Sequence, residues 1–141
     1  MSAAFDMARL GEVFGREVVH DADSGAAVLT HVFGEEAFLK GHFPGFPVVP
    51  GVILLDGMIL AGLHALGGRL GTTAPPIGGV AVETVTFNRP VTPGAAVAFV
   101  ARPGAVDATT GRFEARASVM VEQTRYARAN LTFLVHGAVA P

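Results

Sequence analysis

His42 and Asp56 are the two side chains of this sequence whose types and spacing best suit acid–base chemistry. His42 lies in residues 40–51, a stretch that contains three prolines and three glycines. Proline fixes φ and glycine permits conformations that other residues avoid, so we expect this loop to have a defined shape. Asp56 follows within a strongly apolar, helix-like segment. An imidazole on a rigid loop beside a carboxyl group in apolar surroundings is typical of general acid–base sites.

The apolar segment after the loop predicts one helix over residues 51–66. Proline is tolerated in the first turn of a helix, so Pro50 suits its start, and the pair Gly67–Gly68 predicts its end. Because the helix is apolar on nearly every side, we expect it to be buried against a sheet. About fifteen residues can be helical, fewer than the roughly 20 that span a bilayer, which favours a core helix over a membrane span.

The rest of the chain is rich in predicted strands. Apolar and polar residues alternate most clearly in residues 112–121 and 125–135, as in antiparallel sheets with one dry face. Their predicted inward faces are Phe113, Ala115, Ala117, Val119 and Val121, and Ala127, Ala129, Leu131, Phe133 and Val135. The other predicted strands are 17–20, 26–33, 79–87 and 95–102. We therefore expect an α+β fold, one buried helix wrapped by a curved antiparallel sheet, with residues 1–141 as a single domain.

The composition excludes several classes of function. The 141 residues carry a net charge of −2 without a basic block, which argues against a nucleic-acid partner. There are no cysteines, so disulfides and the usual ligands of structural zinc are excluded. His20, His31 and His136 show no metal-ligand spacing, and we expect neither a metal nor a cofactor. Residues 1–10 contain no apolar run of signal-peptide length, so a cytoplasmic location is expected.

The sequence around the candidate pair resembles the 3-hydroxyacyl-acyl-carrier-protein dehydratases of the FabZ and FabA type. Their pattern is a histidine in His-Phe-Pro-Gly, a Pro-x-x-Pro-Gly a few residues later, and an acid fourteen positions after the histidine. Residues 42–45, residues 47–51 and Asp56 match this pattern. A second segment, residues 87–94, is similar to the family turn Phe-x-Arg-Pro-Val-x-Pro-Gly. The resemblance is specific over about half of the chain.

This resemblance implies a hotdog fold, in which one long helix lies inside a curved antiparallel sheet. It also implies dehydration of 3-hydroxyacyl thioesters to trans-2-enoyl thioesters in fatty-acid, polyene or polyketide-type synthesis. Family members pair through sheet edges into dimers, sometimes trimers of dimers. They build the active site from the histidine of one subunit and the acid of the other. The expected partners are an acyl carrier protein and a second copy of the chain or a related hotdog subunit.

Roles for individual residues are implied by the same resemblance. Neutral His42 is the expected base for the C2 proton, and Asp56 is the expected acid for the departing hydroxyl. Apolar neighbours would raise the pKa of Asp56 by desolvation. The backbone N–H of Gly51 at the helix start, with Val52 beside it, is the expected donor to the thioester oxygen. The apolar residues of the helix and of strand 79–87 are expected to line an acyl tunnel. Named tunnel candidates are Phe43, Pro50, Leu55 and Leu60.

Two positions depart from the family. The acid is Asp56, as in the FabA branch, where FabZ enzymes usually carry Glu, so an added isomerase activity stays open. The family glutamine four residues after the acid is Leu60 here, which removes a hydrogen-bonding neighbour of the carboxyl group. Two alternatives therefore remain. One is a hotdog thioesterase that uses a carboxylate and a water, and the other is a non-catalytic subunit that binds acyl chains or stabilises a partner.

Other polar residues have structural interpretations. His64 lies two turns beyond Asp56 and is more typical of helix packing than of chemistry. Arg89 is expected to fix the turn of the second motif or to contact another subunit. Arg69, Arg89 and Arg102 are candidate contacts for an acidic carrier protein.

Overall fold

The computed structural model describes Phe14 and residues 17–34, 48–72, 75, 77–107 and 109–135. Six strands lie in these ranges: β1 Val18–His20, β2 Ala27–Val32, β3 Ile77–Phe87, β4 Ala96–Asp107, β5 Arg112–Val121 and β6 Thr124–Val135. One long helix, α1, spans Gly51–Leu70. The strands form one sheet in the order β1-β2-β4-β5-β6-β3, and every neighbouring pair is antiparallel. The predicted α+β class is confirmed, with α1 packed on one face of the sheet as in a hotdog fold.

Strands β5 and β6 show why the sheet has one dry face. Every second residue points at the helix, and the ten residues predicted to face inward are buried, except that Val135 is only partly buried. The charged residues Arg112, Glu114 and Arg116 alternate with them and are exposed. Burial of one face therefore fixes the register, because a slip by one residue would turn every apolar side chain to water.

The turn between β5 and β6 has an unusual backbone. It consists of Glu122 and Gln123, whose φ angles are +49° and +69°. Two consecutive left-handed residues match the right-handed twist of a two-residue hairpin, which normally selects asparagine and glycine. Here two long side chains occupy these positions, so the turn carries local strain.

Helix α1 is held close to the sheet by glycines that face aromatic rings. A Cβ on Gly57 would collide with the buried ring of Phe99 on β4. A Cβ on Gly62 would lie 2.7 Å from the ring of Phe133 on β6. The helix consequently packs mainly on β4 and β5 and reaches the edge strand β3 only marginally.

The helix ends later than predicted. It continues through Gly67 and Gly68 to Leu70, and the left-handed residue that ends it is Gly71, with φ +71°. Gly67 is needed for a different reason, since a Cβ there would collide with the backbone oxygen of Thr72. The prediction that Gly67–Gly68 stops the helix was wrong, because these glycines serve close packing and the glycine that caps lies four residues further on.

The corrected length changes one argument about membranes. With 20 residues, α1 is long and apolar enough to cross a bilayer by length and composition. Most of its residues from Gly57 to Gly67 are nevertheless buried. The core-helix interpretation therefore rests on packing, and the predicted shortness of the helix does not support it.

Candidate active site

The two sequence motifs meet at one end of the sheet. The N–H of Val49, just before α1, donates to the carbonyl oxygen of Val91 in the turn after β3, at 2.9 Å. The two segments enclose a groove of about 370 Å³ lined by Val48, Val49, Gly51, Leu54 and residues 87–91. Motif residues that are distant in sequence thus form a single mostly apolar groove at the start of the helix.

The first turn of α1 presents unpaired amide groups. The N–H groups of Ile53 and Leu54 donate to the Pro50 carbonyl oxygen at 3.0 and 3.3 Å. Across the described ranges, the amides of Gly51 and Val52 have no hydrogen-bond acceptor. Such amides lie at the positive end of the helix dipole, so they can donate to an oxygen that gains negative charge.

Asp56 lies one and a half turns further along the helix. It is half-buried, and its desolvation by burial raises the pKa of the carboxyl group above its ordinary value of 3.8. The part of the chain that the structure describes gives Asp56 no hydrogen-bond or ion-pair partner. A carboxyl group in this setting holds its proton at higher pH than an exposed one, as a general acid requires.

Residues 52, 56 and 60 share one face of the helix, because they are four positions apart. Exposure falls steeply along this face: Val52 is 68% exposed, Asp56 is half-buried, and Leu60 is 1% exposed. By helix geometry the carboxyl-bearing residue lies about 7.5 Å along the axis from Gly51. The face therefore leads from open surface at the free amides, past the carboxyl group, into the core.

The edge strand β3 carries an apolar face that α1 leaves uncovered. Its residues opposite the inward residues of β6 are Val80, Val82, Val85 and Phe87. Val82, Val85 and Phe87 are 38%, 39% and 47% exposed, unlike the buried inward residues of β5. We name the space between this face and the first half of α1 the β3 trough. It has apolar walls and begins where the Phe87 ring meets Gly51 at the start of α1.

The sequence-predicted site residues are only partly brought together. Gly51, Val52 and Asp56 lie together as expected, and Pro50 and Leu55 are half-buried near them. Leu60 belongs to the hydrophobic core cluster. His42 and Phe43 fall outside the described residues, so their predicted roles stay predictions. Phe87 was not singled out from the sequence. Its ring packs on Gly51, and the only signal for it was its place at the start of the second motif.

The remaining polar residues lie away from this groove or have structural contacts. His64 packs edge-on to His20 of β1, with ring centroids 6.5 Å apart. The guanidinium of Arg89 lies over the ring of Tyr126 at 5.9 Å, which agrees with its predicted role of fixing the turn. No group of three or more His, Asp or Glu side chains that could hold a metal occurs among the described residues.

Comparison with known proteins identifies the family of this chain. Residues 19–126 match the model of a family described as ApeI-like, ApeI dehydratase. A 3-hydroxyacyl-[acyl-carrier-protein] dehydratase FabZ of Thermus thermophilus is 39% identical over 114 residues, which cover 78% of this chain and 77% of that protein.

Solved structures agree in fold. The dehydratase heterocomplex ApeI:P from Xenorhabdus doucetiae superposes with a TM-score of 0.58 at 16% identity, covering 84% of this chain and 96% of that one. A mutant of the phenylacetic acid degradation protein PaaI from Thermus thermophilus superposes with a TM-score of 0.61 at 19% identity, covering 90% of this chain and 99% of that one. At such identities the likeness establishes the hotdog fold alone. The family match over most of the chain and the similarity to FabZ show that this protein belongs to the ApeI-like dehydratase family.

Proposed function

We propose that this protein dehydrates 3-hydroxyacyl thioesters, carried by an acyl carrier protein, to trans-2-enoyl thioesters in fatty-acid, polyene or polyketide-type synthesis. One observation carries the proposal: a desolvated carboxyl group, Asp56, follows two helix amides that have no acceptor among the described residues, in a member of a dehydratase family. We further propose that residues 1–141 act as one domain and that the reaction takes place in the cytoplasm.

The reaction removes a proton from C2 and a hydroxyl group from C3. His42 takes the C2 proton, and the electron pair of that C–H bond forms the C2–C3 double bond. The C3–O bond breaks as Asp56 gives its proton to the departing oxygen, and water leaves. His42 then loses its proton to solvent and Asp56 regains one, which restores both groups. The raised pKa of Asp56 supports its assignment as the acid.

The amides of Gly51 and Val52 act on the thioester carbonyl. Loss of the C2 proton places negative charge on this oxygen, and the helix amides lie beside the groove that would hold it. A preorganised donor of this kind contributes about 3 kcal/mol to the stabilisation of acyl-transfer transition states. Since the donors are backbone groups, side-chain substitution at Val52 alone would not remove them.

A second subunit is proposed to complete the site. β3 is an edge strand, and its apolar residues Val82 and Val85 are exposed in the single chain. Exposed edges of this kind are normally covered in native proteins. A second copy that covers β3 would close the trough into an acyl tunnel and bring its own His42 to Asp56. Because the Xenorhabdus doucetiae structure is a dehydratase heterocomplex, a related hotdog subunit is the other candidate partner.

Carrier protein docking is proposed at the same end of the sheet. Arg128 lies directly across from Thr86, next to Phe87, and Arg125 and Arg89 lie nearby on β6 and in the turn after β3. Arg128 points to the outer face of the sheet, at the end of β6 that lies nearest the groove, and positive charge there favours approach of an acidic carrier. Arg69, at the end of α1, and Arg102, on the outer face of β4, lie farther from this groove than Arg128 and support docking less well.

The test is turnover of a 3-hydroxyacyl thioester by the wild type and by the variants His42→Ala and Asp56→Asn, followed by the absorbance of the conjugated enoyl thioester. Both variants should lose nearly all activity, whereas the control His64→Gln should keep it. Release of free thiol without enoyl product would identify a thioesterase. An inactive wild type on carrier-protein and coenzyme A thioesters of several chain lengths would contradict the proposal and favour a non-catalytic subunit.

A further inference from the structure

The contact between Phe87 and Gly51 is unusually close for a side chain that is half exposed. A Cβ on Gly51 would lie 3.1, 3.3 and 3.4 Å from three atoms of the Phe87 ring. The ring is nevertheless 47% exposed and is not part of the hydrophobic core cluster. One side of the ring therefore lies on the first residue of α1, while much of the remainder faces the groove and solvent. Core packing alone does not account for an aromatic residue placed in this way.

The backbone fixes the position of this ring. Phe87 is paired with Ala127 on β6. The next two amides, of Asn88 and Arg89, both donate to the Tyr126 carbonyl oxygen at 2.7 and 3.2 Å. The sheet holds the backbone at Phe87 and at the two residues after it, and the side chain built on this backbone contacts Gly51. The ring is a preorganised wall of the groove.

A ring in this position changes the surroundings of the helix amides. Its tip lies against the Cα side of Gly51, next to amides that have no acceptor among the described residues, and it takes up space that water would otherwise fill. Excluding water lowers the local dielectric constant and strengthens a hydrogen bond to an oxygen that gains charge. We infer that Phe87 is a positioning residue of the dehydration reaction, which shields the amides of Gly51 and Val52 from water and holds the thioester carbonyl against them. This inference rests on the proposed function.

The experiment compares wild type with Phe87→Leu, Phe87→Ala, Phe87→Tyr and a control, Leu134→Ala. Leu134 is 45% exposed on β6 and pairs with Arg112 and Gly79, far along the sheet from the groove, so it matches Phe87 in exposure and not in position. We expect Phe87→Ala to lower kcat about tenfold, less than the loss of an oxyanion donor, with KM changed by less than about threefold. Phe87→Leu should give an intermediate loss, and Phe87→Tyr should restore most of the rate.

A spectroscopic measurement separates positioning from folding. With a bound enoyl thioester, the carbonyl stretching frequency should be higher in Phe87→Leu than in wild type, because the amides polarise the carbonyl less. Thermal denaturation and the oligomeric state, measured on the same samples, should match those of the control. Wild-type kcat in Phe87→Ala, an equal loss in Leu134→Ala, or an unshifted carbonyl band would overturn the inference. An inactive wild type would instead overturn the proposed function, so the two failures are distinguishable.

Discussion

Replacing Leu60 with the glutamine that the family resemblance leads us to expect there tests whether this position belongs to the core or to the active site. The wild-type side chain is 1% exposed and lies in the core cluster, four residues after Asp56. Removing it from the core forfeits about 2 kcal/mol of apolar burial. Burying an amide without a partner adds about 1–3 kcal/mol. We therefore expect Leu60→Gln to lower the free energy of unfolding by about 3–5 kcal/mol.

One gain available to the new amide is a hydrogen bond to Asp56, four residues earlier on the same helix face. A bond to an ionised carboxylate would return about 1.5–3 kcal/mol and would lower the pKa of Asp56. Because Asp56 has no partner within the described ranges, this bond would replace no existing one. A partner of this kind would favour the ionised form, so it would weaken the carboxyl group as an acid at neutral pH.

The measurements are urea and thermal denaturation with the pH dependence of turnover. We expect a melting temperature about 10–20 °C below that of wild type. The control Leu60→Met conserves volume and should cost less than about 1.5 kcal/mol. A Leu60→Gln variant as stable as wild type, with equal or faster turnover, would refute the reasoning and place residue 60 at the active site.

Three further predictions follow from other groups. Burial raises the pKa of Asp56 above 3.8, so its contribution to stability is present below pH 3.8 and is lost as pH rises through the pKa of the folded state. The melting temperature of Asp56→Asn should therefore be higher than that of wild type at pH 7 but not at pH 3. Burial, and to a lesser extent the charge of His20, lowers the pKa of His64 below 6.5. The free energy of unfolding should therefore fall as pH drops from 6.5 through the pKa of the folded state, and urea titrations of His64→Gln should show a smaller decrease over the same range. In the β5–β6 turn, Glu122→Asn combined with Gln123→Gly should raise the free energy of unfolding by about 1 kcal/mol, and an unchanged urea midpoint would show that the positive φ angles carry no strain.

Local patterns in the sequence predicted the elements well. The alternation in residues 112–121 and 125–135 identified the buried faces because a sheet residue alternates faces whatever its neighbours are. The helix end could not be predicted in the same way. Whether a glycine caps a helix or admits a close neighbour depends on what lies opposite, and the Thr72 carbonyl beside Gly67 is visible only in the fold.

The candidate site was predicted less completely. Motif spacing predicted that Gly51 and Asp56 lie in the first turns of a helix, because a helix start is a local feature, and their catalytic roles stay predictions. Leu60 was predicted as a tunnel residue, but its place on the helix brings it into the core, and the tunnel role stays a prediction. The ring of Phe87 reaches Gly51 only through the pairing of β3 with β6, a contact between distant parts of the chain that no local pattern indicates.

The glycines under α1 have a consequence for how the family can diversify. Gly57, which directly follows Asp56, leaves room for the Phe99 ring of β4, and Gly62, about one and a half turns later, leaves room for the Phe133 ring of β6. A rotation or slide of the helix would drive neighbouring side chains into these rings, so contacts with β4 and β6 fix where Asp56 lies along the helix axis and which way it points. The β3 wall is attached to α1 only marginally. Substitutions on β3 can therefore reshape the proposed acyl-chain space while Asp56, the proposed acid, stays in place, so substrate preference can change without a change in the position of that carboxyl group.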